Sequence, residues 1–159
     1  ALCPDSYLAV RQAVRAGLKN VYAYDGGLYE WIRAHPHHST LMGISPIPRD
    51  RVLSRAYYQA RILDNDGFTR QANQSGTLVV HLNFDGENPA PTLAHSQNVP
   101  IEDFAARLDR DEWRNKSLLI VESRQDRAWV LQYFLEHKGH KDYFFHFPQS
   151  VELKSKPKG

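Results

Sequence analysis

One thiol, one charged loop and one histidine group hold the side chains of this sequence that could do chemistry. Cys3 is the single cysteine and stands a few residues before a helix start at Asp5 or Ser6. Backbone N–H groups at a helix N-terminus lower a thiol's pKa, so a cysteine placed there can act as a nucleophilic thiolate. Cys3 reads either as such a nucleophile or as a supporting, half-buried thiol. The charged loop is Glu122-Ser123-Arg124-Gln125-Asp126-Arg127. Glu122 can serve as an acid or base, or as a structural charge facing helix N–H groups. Arg124 and Arg127 can bind an anion or pair locally with Glu122 or Asp126. His35, His37 and His38 have no Cys or carboxylate at ligand spacing nearby, so a solvated linker is the better reading. No metal or cofactor is expected.

Flanking elements must position these groups. Apolar residues at 7, 10 and 14 and at 9, 13 and 16 predict a helix over 7–16, ended by Gly17. Asn20-Val21-Tyr22-Ala23-Tyr24 predicts a short strand, and Leu28 to Ala34 a second helix carrying Trp31. Helical stretches are expected over 55–63 and 66–73, a loop over 84–97, and a helix from Pro100 to Leu108. The continuous apolar runs 77–82 and 118–121 suit strands of a parallel sheet covered on both faces. Trp129 to His137 predicts an amphipathic helix ended by Gly139, and 143–147 an aromatic strand. On that helix Trp129, Phe134 and Leu135 are expected to face the sheet, Gln132 and Glu136 water.

Composition narrows the classes. The 159 residues are 42% hydrophobic and 24% charged, as in a soluble globular chain of one domain or slightly more. One cysteine excludes an intrachain disulfide framework. No apolar run approaches the roughly 18 residues of a membrane span. Twenty Lys and Arg against 18 Asp and Glu are too balanced to imply nucleic acid or a membrane as partner.

A weak internal repeat runs through the chain. Helix, Gly, polar residues and an aromatic strand occur at 7–24 and again at 129–147, and an offset of 122 carries Gly17 to Gly139. The strand at 118–121 precedes the second copy; its counterpart would fall at −4 to −1. The first copy is therefore expected to need an upstream half that residues 1–34 do not supply.

The run Cys3-Pro4-Asp5-Ser6-Tyr7-Leu8-Ala9, with Ala16-Gly17-Leu18-Lys19-Asn20-Val21-Tyr22 and Asp25-Gly26-Gly27-Leu28-Tyr29-Glu30-Trp31, resembles the rhodanese family's signature after its catalytic loop. The likeness covers about residues 3–36. Over about 53–150 the order of elements is similar, with Asn98-Val99-Pro100 matching an Asn-Ile-Pro segment. The resemblance implies an α/β fold: a rhodanese-like parallel sheet with helices on both faces. It divides the chain into the end of a first domain (1–36), a linker (37–52), a second, degenerate domain (53–150) and a tail (151–159). In that family the six-residue loop opens with the nucleophilic Cys, where Glu122 stands here; Arg127 matches the Arg that closes it. His81 and Asn83 replace the Asp and Arg of the first strand's Asp-x-Arg pattern. The family implies persulfide chemistry, with thiosulfate or a similar small sulfur donor and a thiophilic acceptor, which can be a protein. The expected nucleophile falls at position 0, and Cys3 matches a second loop Cys that some members carry. Such members are often exported, which tilts the expected compartment towards the periplasm. The rival expectation is a non-catalytic module that binds or scaffolds a partner.

Overall fold

In the computed structural model, residues 4–24, 26–83, 96–123 and 125–148 are described. The chain forms two units, Ala1–Ser54 and Arg55–Gly159.

In the second unit the apolar runs become the middle of a five-stranded, all-parallel sheet. After helix α3 (Arg55–Gln59) come β1 (Ile62–Leu63), α4 (Asn65–Ala72), β2 (Thr77–Asn83) and β3 (Ser96–Pro100). Helix α5 (Ile101–Asp109), β4 (Ser117–Val121), α6 (Gln125–His137) and β5 (Tyr143–His146) complete it. The strand order is β1-β5-β4-β2-β3. This is the α/β class expected, with helices on both faces. Alternation along the strands builds two apolar layers. Val80, Leu82, Leu118, Ile120, Tyr143 and Phe145 meet α5 and α6 through Phe104, Leu108, Leu131 and Leu135. On the opposite face Val79, Leu119 and Val121 pack with Phe68 and Ala72 of α4.

Three expectations for this unit change. β1 is too short to carry a pattern, and β3 buries only Val99 of its five residues, so neither announces itself as an apolar run. The third concerns α6. Its buried residues are Ala128, Leu131, Gln132, Tyr133 and Leu135, with Trp129 and Phe134 partly buried against the same core. Gln132 is therefore inside rather than in water. Its amide lies beside the Tyr143 hydroxyl without reaching hydrogen-bond geometry. Glu136 is half-buried, because Tyr57 and Tyr143 donate to its Oε1 at 2.6 and 2.9 Å. Arg61 donates to the Tyr57 hydroxyl at 2.6 Å and stacks over the Tyr57 ring at 3.8 Å. Burial, then the Glu136 carboxylate, raises the Tyr57 pKa; burial chiefly raises that of Tyr143.

The first unit holds α1 (Pro4–Arg15) and α2 (Gly27–Ala34). Gly17, at φ +86°, ends α1, and the N–H groups of Gly17 and Leu18 donate to the carbonyls of Val14 and Ala13 at 3.0 and 3.1 Å. The strand expected at 20–24 does not form. Those residues pair with no strand among the described residues, Asn20 turns left-handed at φ +57°, and Tyr22 is 82% exposed. A strand closes its hydrogen bonds only on a neighbour. The stretch expected as a solvated linker is folded in part. Its 3-10 turn Pro36–His38 is closed by the Ser39 N–H on the Pro36 carbonyl at 3.2 Å, the Ile47 N–H donates to the same carbonyl at 3.1 Å, and Ser39 and Ile47 are buried.

Candidate functional site

Ligand crevices in open parallel sheets form at the carboxyl ends of the strands, where successive connections run in opposite directions. Here β2 connects outward to β3 and β4 returns towards β5, and β2 and β4 are neighbours. That switch point places the ends of β2 and β4 together: His81 to Asn83 on one side, Glu122 and Ser123 on the other.

The loop that leaves β4 is short because α6 already begins at Gln125. Glu122 is 1% exposed, and its backbone N–H donates to the His146 carbonyl at 3.1 Å, continuing the β4–β5 ladder by one residue. Its Oε1 accepts from Ser123 Oγ at 3.2 Å and from Arg127 Nη1 at 3.5 Å. The pairing of Arg127 with Glu122 is thus the local ion pair weighed from the sequence. It engages a guanidinium that could otherwise meet an anion. Tyr58 donates its hydroxyl to the Gln125 carbonyl at 3.1 Å, which tethers the start of α6 to α3. Arg124 and the side chain of Asp126 lie outside the described residues, as does Cys3.

Two histidines share the other face of the same edge. His81, Val121 and His146 stand side by side in register on β2, β4 and β5. His146 donates from Nδ1 to the Leu63 carbonyl at 3.0 Å, a role its acceptor dictates, and its ring lies 4.4 Å from that of Phe68. His81 is 7% exposed, and among the described residues neither ring nitrogen has a hydrogen-bond partner. Burial lowers its pKa, so the imidazole is neutral near pH 7. The sequence marked His81 only as a departure from a pattern and absorbed His146 into an aromatic strand. Period-two alternation from Val79 and Phe144 would have put both on one face.

The structure brings Glu122, Ser123 and Arg127 together. His35 stacks on Trp31 at 4.4 Å, and His37 and His38 lie in the short turn after it. Among the described residues no three His, Cys, Asp or Glu side chains gather as metal ligands, and no helix is long and apolar enough to cross a membrane. Protein-family models, curated proteins and solved structures all give no match to this chain.

Proposed function

We propose that this chain belongs to a rhodanese-like sulfurtransferase in which 55–159 is a non-catalytic partner domain. The observation that carries the second half is Glu122. A buried carboxylate is held by Ser123 and Arg127 at the mouth of α6, and the rhodanese resemblance would put a thiolate at that position. A carboxylate cannot form a persulfide, and its own negative charge occupies the place that favours an anion. The first half is supported by the signature over residues 3–36. There a thiolate would attack the sulfane sulfur of thiosulfate, the S–S bond would break, and sulfite would leave with the electron pair. Attack by cyanide on the resulting persulfide would give thiocyanate and return the thiolate. Cys3 either carries the sulfur or stands as a supporting thiol of the loop. A periplasmic compartment and a protein acceptor belong to this reading. The same Glu122 geometry favours a second reading for 55–159 taken alone, a module that binds or scaffolds.

The test is thiocyanate formation from thiosulfate and cyanide by the chain and by Cys3→Ser. Turnover lost in Cys3→Ser makes Cys3 the carrier. Turnover that survives the substitution contradicts the chemistry, since residues 1–159 hold no other thiol. Absence of turnover by the chain rules out Cys3 as the carrier here and favours the scaffold reading.

A further inference from the structure

We propose that the α4 face of the sheet's carboxyl edge, around His81, binds a small, flat, uncharged ligand with a hydrogen-bond donor and an acceptor, an amide or a nitrogen heterocycle. The observation that carries this is His81 itself. Its side chain is 7% exposed, and neither ring nitrogen has a hydrogen-bond partner among the described residues. A neutral imidazole offers one donor and one acceptor. Leaving both unmet in the interior is costly, and a hydrogen-bonding occupant removes that cost. The place is the one where open parallel sheets take ligands, the carboxyl ends of neighbouring strands whose connections diverge, here β2 and β4.

The neighbours of His81 define the occupant. Residues in register on parallel strands point to one face. Asn98 of β3, His81 of β2, Val121 of β4 and His146 of β5 therefore form one row facing α4. Asn83 stands one step further out on the same face of β2. Both asparagines are half-buried. His146 has its Nδ1 committed to the Leu63 carbonyl and its ring against Phe68. The row thus sets carboxamide and imidazole groups beside the apolar surfaces of Val121 and Phe68. Such groups match a flat ligand edge on which donor and acceptor alternate, as a carboxamide side chain matches the edge of adenine.

Charge argues against the other ligand classes. No Lys or Arg stands in the row, and Asp64 and Asp66 flank the start of α4 at the same edge of the sheet. An anion would meet carboxylates and no cation. A metal ion is poorly served, since no three His, Cys, Asp or Glu side chains gather as ligands among the described residues. The site is also separate from the Glu122 loop. Glu122 continues the alternation of Leu118 and Ile120 towards α6, where Arg127 meets it, whereas Val79 and Val121 face α4 with His81. The inference goes beyond the proposed function and requires no sulfur transfer.

The experiment is a titration of the full chain with nicotinamide, followed by proton–nitrogen correlation spectra of the histidine rings and the asparagine side-chain amides. Nicotinate, the same ring bearing a carboxylate, is the control. Nicotinamide should shift the His81 ring nitrogens and the Asn98 amide saturably, and nicotinate should bind about tenfold more weakly or not at all. His81→Leu should weaken nicotinamide by about tenfold, the worth of one buried hydrogen bond. His81→Gln keeps a donor and an acceptor and should stay within about threefold of the parent chain. Urea unfolding checks that both variants fold; if His81→Leu does not, the parent chain and His81→Gln decide. Four results overturn the proposal: no saturable shift at His81, equal binding of nicotinate, unchanged binding in folded His81→Leu, or a His81 ring that exchanges magnetisation with an ordered water and ignores nicotinamide. Thiocyanate formation depends on none of these residues, so failure here and failure of the sulfurtransferase reading are told apart.

Discussion

The segments 4–24 and 125–146 are built alike for their first fifteen residues and unlike after that. Both carry a helix of about the same length, both end it on a left-handed glycine, and both close the turn with the same three hydrogen bonds. Those features close within the segment: a helix bonds i to i−4, and the turn bonds back onto the helix. The fate of the residues past the turn depends on a neighbour. In the second unit β4 lies alongside, so 143–146 become a strand with Tyr143 and Phe145 inside. In the first unit no strand among the described residues pairs with 20–24, the backbone of 20–23 makes no hydrogen bond among them, and Tyr22 faces water. The same local instruction yields a core strand or a bare edge according to its surroundings.

The largest effect that tests this contrast is expected at Leu135. It is fully buried against the sheet, so Leu135→Ala should cost about 2–5 kcal/mol in urea unfolding. Tyr22→Ala, in the bare copy, should change stability by less than about 0.5 kcal/mol. Equal losses at the two positions would erase the distinction. The glycines should behave more alike. Gly139→Ala and Gly17→Ala each force a side chain into the left-handed region, at roughly 1–2 kcal/mol, with no steric clash added. The loss at 139 should appear in cooperative unfolding of the second unit. At 17 it should appear as fraying of α1, read by amide exchange at Ala16 to Leu18.

A smaller, opposite effect is expected at Gln132. Its amide is wholly buried and makes no hydrogen bond among the described residues, whereas its counterpart Val10 is apolar and only half-buried. Gln132→Met keeps the shape and removes an unsatisfied group, so the urea midpoint should rise, by about 1 kcal/mol in stability. A loss would mean that the amide has a role in the Tyr143 corner.

The smallest signal is expected from His81, on the strand that flanks β4. Its folded-state pKa is lowered by burial, so below the ordinary value of 6.5 the unfolded chain takes up a proton that the folded chain refuses. Its contribution is therefore whole above that value and is lost as pH falls towards the depressed one. His81→Leu should flatten this acid-side decline in the urea midpoint. An unchanged slope would mean that the imidazole meets water.

Much of this was legible from residue order. The runs 77–82 and 118–121 announced two central parallel strands because both faces of each are covered. Gly17 and Gly139 marked helix ends because only glycine enters the left-handed region at little cost. Glu122 was legible as the residue leaving β4, but only the first half of the predicted loop 122–127 is one, because α6 already begins at Gln125. The inward face of α6 was not: Gln132 looks polar along the sequence but sits one turn beyond Ala128 and beside Leu131, over the sheet. Nor was the edge shared by His81 and His146, which arises from strands 65 residues apart meeting through β4.

By itself, then, residue order determined the helices, their glycine turns, the two apolar strands and the repeat, all written in bonds and periodicities that span a few neighbours. Tertiary structure alone decided that 20–24 does not form the strand its residues suggest while 143–146 does, that Gln132 and Glu136 turn inward, and that Glu122 is buried against Arg127 and Ser123. Backbone ladders and buried polar groups take their partners from residues far along the chain, and only folding selects which of those partners arrive.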